Sequence, residues 1–217
     1  MKAPELLVTP TAVEDILPLI EAGADAFVVG EQRYGLRLAG EFSREDVKKA
    51  IELAHQYNKK VYVAMNAIFH NELVEELDDY IAFVRDAGAD AIIFGDPAVL
   101  MAAREVAPEM KLHWNTETTA TNWFTCNYWG EKGAKRAVLA REINMDAIVE
   151  MKEHAKVELE VQVHGMTCMF QSRRTLIGNY FEYQGKVMNV ENRQQNKNMF
   201  LHDDERNNKY PIFEDFN

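Results

Sequence analysis

The sequence predicts an α/β chain, a TIM-like (β/α) barrel left incomplete at about seven βα units, with a polar hairpin excursion after strand seven. Three observations carry that prediction. The segments EAGADAFVVGE (21–31), DAGADAIIFGD (86–96) and EKGAKRAVLARE (131–142) repeat one pattern: helix end, glycine, small residue, apolar strand, polar strand end. Glycine suits the left-handed residue that closes a helix, and a short turn then feeds a buried strand. Amphipathic stretches and short apolar runs also alternate along most of the chain, which favours parallel strands joined by helical crossovers. Finally, seven such strands with short crossovers fit a barrel better than an open doubly wound sheet. The open sheet is the alternative, because periodicity does not report closure.

Strands are expected near 5–8, 26–29, 61–65, 91–94, 111–114, 136–140 and 157–163. Helices are expected near 11–22, 44–57, 71–87, 97–106, 119–132 and 144–154. Thr11 and Glu14 form a Thr-x-x-Glu capping box ahead of the first helix. Ser43 opens SREDVKKAIELAHQY with Asp46 three residues on, and Asn71 precedes a run rich in Glu and Leu. The barrel domain is expected over 1–182. Residues 183–217 are polar, rich in Asn and Gln, and suggest a hairpin around Arg206-Asn207-Asn208 that leads toward a last strand outside the 217 residues. A barrel open at that point would expose apolar edges and is expected to rely on a partner or to be marginally stable.

Composition narrows the function classes. With 47% hydrophobic side chains, 217 residues can bury one substantial core. No run approaches the roughly 18 apolar residues of a membrane span, and the N-terminus acquires acidic residues too early for a secretory signal. Two cysteines give no disulfide framework, so a reducing cytoplasm is the expected location. The net charge of −11 disfavours broad attraction to phosphate backbones, while leaving room for a local basic pocket.

Chemistry in such a barrel sits at the carboxyl ends of the strands. There the sequence places Glu31, Asn66, Asp96, Asn115, Arg141, Glu142 and His164. Arg37, in RYGLRLAG after strand two, and Arg141 can each clamp a carboxylate or phosphate, or simply pair with a local acid. The densest cluster is EVQVHGMTCMFQSRRTLIGNYF (160–181), which joins an imidazole, a thiol and two arginines. His164 is a candidate acid, base or metal ligand, or a histidine hydrogen-bonded into place. Cys168 is a nucleophile if Arg173 or Arg174 lowers its pKa, and otherwise an inert buried thiol. Cys126, among the aromatics of NWFTCNYWG, reads as core. No Cys-x-x-Cys or His-x-x-x-His spacing, phosphate-cradling glycine motif or G-x-S-x-G occurs, so no metal site is expected.

These pieces bring out a resemblance. AGADAFVVGEQRYGLR, VYVAMNA, GAKRAVLARE and above all EVQVHGMTCMFQSRRTLIGNYF resemble the U32 peptidase family, the collagenase-like proteins, over essentially the whole chain. The family signature, E-x-F-x-x-G-small-aliphatic-C-x4-G-x-C-x-aliphatic-S, survives here in Glu160, Gly165 and Cys168. Gln162 replaces its aromatic, Arg173 its glycine, Thr175 its second cysteine and Gly178 its serine. In many relatives four cysteines bind an iron–sulfur cluster; only Cys168 matches, so the resemblance implies a chain without that cluster.

The resemblance further implies a short member of the tRNA-hydroxylation branch, which forms 5-hydroxyuridine at the wobble position using prephenate as co-substrate. On that reading Glu160, His164 and Cys168 are the catalytic candidates. Arg37, Asn66, Asn115, Arg141, Glu142, Arg173 and Arg174 are the substrate-binding candidates. The implied partners are tRNA and a longer U32 paralogue in a heteromer, with no membrane. Two alternatives stand beside it: a collagenase-like protease, and a non-catalytic partner of the longer paralogue.

Overall fold

The computed structural model describes residues 3–116, 119–165, 175–187 and 199–212. The chain divides into two compact units, Met1–Gly165 and Met166–Asn217, a division earlier than the boundary at residue 182 expected from sequence. The first unit carries a seven-stranded parallel sheet: β1 (Leu7–Val8), β2 (Ala26–Val29), β3 (Lys60–Met65), β4 (Ala91–Phe94), β5 (Leu112–Trp114), β6 (Ala134–Val138) and β7 (Glu158–Glu160). The strands lie side by side in sequence order, the winding of a (β/α) barrel rather than of a doubly wound sheet, whose strand order reverses.

Curling of the sheet follows from one contact. Arg136 of β6 reaches Glu5, two residues ahead of β1, at 2.9 Å. In a flat sheet those strands would stand roughly 24 Å apart, five spacings of the hydrogen-bonded direction. The sheet must therefore bend round until residues near its first strand meet those of its sixth. The result is a TIM-like, incomplete barrel.

Helices cover the outer face: α1 (Ile16–Glu21), α2 (Arg44–Gln56), α3 (Asn71–Val74), α4 (Leu77–Asp86), α5 (Pro97–Val106), α6 (Trp123–Glu131) and α7 (Met145–His154). Alternate strand residues meet them. Phe27, Val29, Val61, Val63, Ile92, Phe94, Leu112 and Trp114 join helix residues such as Ile51, Leu77, Ile81 and Val99 in one core. The opposite parity faces inward, where Ala26, Tyr62, Ala91 and Ile93 form a smaller cluster. β4 is buried on both faces, as a near-continuous apolar strand should be. Gly23, Gly88 and Gly133, the repeated helix-closing glycines, all have positive φ (106°, 87° and 109°). The repeat seen in the sequence is thus one turn used three times.

Several boundaries differ from expectation, each for a local reason. The first helix is split, with a short 3-10 turn at Val13–Asp15 preceding α1. Pro18 has no N–H to donate and its ring crowds the carbonyl four residues back, so a regular helix cannot run from residue 11. The cap partner of Thr11 is Asp15 rather than Glu14: the Thr11 amide and hydroxyl both donate to the Asp15 carboxylate. Ser43 and Asp46 do form the expected capping box at α2. α6 starts at Trp123, four residues later than expected, because Asn122 accepts from the Thr125 amide and sets the cap there. β7 stops at Glu160 rather than 163, since its partner β6 ends at Val138, the residue opposite Glu160.

The second unit holds α8 (Leu176–Tyr183) and an antiparallel pair, β8 (Phe200–Asp203) and β9 (Asn208–Pro211). The hairpin matches the expectation around Arg206-Asn207-Asn208. Asp203 accepts from the Glu205 and Arg206 amides, and Asn207 takes φ 53° to close the turn. α8 has no counterpart in the sequence reading. Its apolar stripe, Leu176, Ile177, Tyr180 and Phe181, is helically spaced, but Gly178 inside it masks the signal. No helix among the described residues is long and apolar enough to cross a membrane.

Candidate functional site

The carboxyl ends of the strands carry the rim that sequence singled out. At β3 the chain leaves Met65 into Asn66, whose Oδ1 accepts from the Leu36 amide at 2.9 Å. The Ala67 amide donates to the Tyr34 carbonyl at 3.0 Å. Together these tie the RYGLRLAG loop to the end of β3 and set the backbone of Arg37, which sits at φ 57°. Close approach makes this possible: a Cβ on Gly35 would stand 2.9 Å from the Ala64 carbonyl oxygen. Tyr34 itself is buried and stacks on Tyr80 of α4 at 3.9 Å, while its hydroxyl donates to Glu76 at 2.9 Å. Arg33 donates to the same carboxylate. The loop is therefore anchored on both sides of Arg37.

Along the same rim, the Asn115 amide donates to the Phe94 carbonyl at 2.8 Å, and Gly95 is needed because a Cβ there would meet the Asn115 carbonyl at 2.9 Å. Asp96 caps α5, accepting from Ala98 at 2.9 Å ahead of Pro97. Its other oxygen accepts from the Phe69 amide at 3.4 Å, joining the β3 and β4 loops. Glu31, at the end of β2, is half-buried with Arg44 at 3.5 Å. Burial raises its carboxyl above the usual range against the pull of Arg44 and Arg33.

Arg141 is half-buried and Glu142 exposed beyond β6, and His164 is exposed in a bend four residues past β7. The structure thus sets Arg37, Asn66, Asn115, Arg141, Glu142 and His164 at carboxyl ends of neighbouring strands. Arg37, Asn115 and Arg141 are each engaged by other groups. Cys168, Arg173 and Arg174 lie outside the described residues.

Glu160 belongs to a different group. Its carboxylate lies 3.3 Å from Arg136, inside the sheet. Arg136 is nearly buried and also holds Glu158 at 2.8 Å and Glu5 at 2.9 Å. Glu5 in turn accepts from Lys60 (2.7 Å) and the Tyr62 hydroxyl (2.8 Å). Burial pushes the Glu5 carboxyl up, but Lys60, Tyr62 and Arg136 outweigh it and hold it down at about 2. For Glu160 burial wins over Arg136, and its carboxyl is raised. Beside them His113 of β5 is buried, meets Tyr62 edge-on at 4.6 Å, and is pushed down to about 3 by burial and then by the Arg136 charge. Sequence reading passed over Glu5, Lys60, Tyr62, His113 and Arg136. The signal was present in KLHW and AKRAV, where a polar residue interrupts an otherwise apolar strand.

Cys126 is fully buried on α6, and burial pushes its thiol up to about 11. A cubane iron–sulfur cluster takes about four thiolates. Two cysteines in 217 residues, one of them locked in the helix-facing core, do not fit that ligand set.

The model of peptidase family U32 matches residues 11–199. Over 217 residues the chain is 73% identical to tRNA hydroxylation protein P2 of Bacillus subtilis, covering all of this chain and 70% of that protein. It is 38% identical to tRNA hydroxylation protein P1 of the same organism and 35% identical to tRNA hydroxylation protein P of Escherichia coli. The chain spans only 43% and 40% of those two relatives' lengths. A solved U32 peptidase structure superposes with a TM-score of 0.66 at 11% identity, covering 100% of this chain and 90% of that one, a likeness of fold. The chain belongs to peptidase family U32.

Proposed function

We propose that this chain is a subunit of a tRNA-hydroxylating system that forms 5-hydroxyuridine at the wobble position, with prephenate as co-substrate. The observation that carries the reading is its 73% identity, along all 217 residues, to a protein named for tRNA hydroxylation. In this reading Arg37 and Arg141 hold the carboxylates of prephenate through paired N–H donors. Asn66, Asn115 and Glu142 complete the polar rim, and His164 moves protons. Glu160 acts from behind, through Arg136, as a positioning residue.

The system works in a reducing cytoplasm, and this chain acts without an iron–sulfur cluster of its own. It is proposed to pair with a longer U32 paralogue that supplies the basic surface for tRNA. A net charge of −11 supports that division of labour, since an acidic chain is a poor match for a phosphate backbone. The presence of both a P1 and a P2 relative in one organism supports it too.

The test is the nucleoside profile of tRNA from a strain lacking this gene and its paralogue, complemented by either gene alone or both. Return of 5-hydroxyuridine that depends on this gene is the expected result. A profile restored equally well without it would overturn the reading. Co-purification of the two U32 chains checks the heteromer separately.

A further inference from the structure

Among the described residues other than glycine, three have positive φ: Arg37 (57°), Asn58 (55°) and Asn207 (53°). Asparagine visits this left-handed region readily, because its short amide bonds to nearby backbone, whereas arginine does so rarely. Asn58 follows the end of α2 and Asn207 closes the hairpin, both ordinary turn positions. Arg37 is the exception. A residue held in such a conformation persists only where its surroundings over-determine it, and residues of this kind gather at binding sites.

The end of β3 fixes the loop at three residues. Leu36 donates its amide to Asn66, the Tyr34 carbonyl accepts from the Ala67 amide, and Gly35 lies against the Ala64 carbonyl. A fourth hold comes from farther away. Glu76, the N-cap residue of α4, lies 43 residues beyond Arg33 in sequence. Its carboxylate accepts from Arg33 Nε and Nη2 as a fork, and from the Tyr34 hydroxyl at 2.9 Å. Arg33 first, then Tyr34, hold that carboxyl below its usual range, so it is ionised near neutral pH. Tyr80 stands one helical turn further along α4 and stacks on the Tyr34 ring at 3.9 Å. One face of α4 thus grips the loop by a charge and by a ring.

Folding stability does not account for the charge. The Arg33 and Glu76 side chains are 55% and 40% exposed, and ion pairs so exposed contribute little. What the fork supplies is direction, since it fixes residues 33 and 34 against a rigid helix just ahead of the turn.

We propose that Glu76 is a positioning residue: through Arg33 and Tyr34 it holds Arg37 in its left-handed turn and so sets where the guanidinium meets a substrate carboxylate, a role that rests on the binding proposed for Arg37 above.

The test is a double-mutant cycle in the strain described above, with the paralogue present: Glu76→Ala, Arg37→Ala and the two together, each read as tRNA 5-hydroxyuridine. Glu76→Ala should lower the nucleoside about threefold or more, and the double variant should fall no lower than Arg37→Ala alone. A change that merely destabilised the chain would add its loss to that of Arg37 instead. The melting temperature of purified Glu76→Ala should drop by less than about 4 °C, the scale of an exposed pair. On the same protein the coupling between the Arg37 amide and α protons reports φ independently of activity, and it should depart from the wild-type value. Full yield in Glu76→Ala beside a loss in Arg37→Ala would overturn the role of Glu76 and leave that of Arg37 standing. So would additive losses in the double variant, or an unchanged coupling. Full yield in Arg37→Ala would overturn both roles.

Discussion

Arg136 Nη1 lies 2.9 Å from Glu5 Oε1, joining the sixth strand to the residue that leads into the first. Because Glu158 and Glu160 share the same guanidinium, Arg136 holds three carboxylates together, Glu5 and Glu160 largely within the curl of the sheet and Glu158 at its exposed edge. Arg136→Met should leave them facing one another in a half-buried space. The expected loss is about 3 kcal/mol in urea unfolding, in line with breaking buried ion pairs from one side. A loss under about 1 kcal/mol, the level of a surface pair, would mean that the cluster is effectively solvated.

His113 makes the fold sensitive to acid. Its folded pKa, about 3, lies below the unfolded value of 6.5. Between these values the unfolded chain binds the proton and the folded chain does not, so stability falls as pH drops below 6.5. Moving from about pH 7 to about pH 5 should cost about 2 kcal/mol from this residue. Glu5, depressed to about 2, adds its loss only below the ordinary carboxylate pKa of 4.5. Thermal midpoints of wild type and His113→Asn at the two pH values check this. The variant should show a flatter dependence, and parallel curves would refute the assignment.

Gly40 packs against the Thr11 backbone so closely that a Cβ would overlap the Thr11 carbonyl. Gly40→Ala should therefore cost about 2 kcal/mol, the range of core overpacking. Gly23→Ala meets no neighbouring atom and loses only its left-handed backbone freedom, with φ at 106°. It should be the milder of the two when melting temperatures are compared. A reversed order would show that the loop carrying Gly40 yields easily.

Asn66 links the end of β3 to the Arg37 loop through the Leu36 amide. Asn66→Ala removes that acceptor and should cost about 1 kcal/mol of stability. Under the proposed function it should also reduce 5-hydroxyuridine in the complemented strain, as the loop loses its anchor. Arg37→Ala should reduce the modification as far while leaving the Asn66–Leu36 anchor in place. A full nucleoside yield from both variants would remove this loop from the site.

The contrast between Asn66 and Glu160 shows how far the sequence reaches. Asn66 is legible as a polar residue at a strand end, Glu160 only through the family signature. Asn66 follows its strand and stands on the rim, where its position is set by local chain direction alone. Glu160 is the last residue of a strand whose inward parity turns its carboxylate onto Arg136, a partner one strand away. His164 was expected beside a strand end, yet β7 closes at Glu160 because β6 has no further residue to pair with it.

Local chemistry by itself determined the alternation of helix and strand, the glycine turns at 23, 88 and 133, the cap at Ser43, the hairpin and the family. Each of these depends on neighbours within a few residues, or on motifs read in line. The tertiary structure alone decided which inward faces meet: Glu5 with Arg136 across the curl, and Lys135 beside Arg136 through a bulge. A period of two says that a side chain changes face at every residue. It does not say where a register slips, or which distant strand the curl of a sheet will bring opposite.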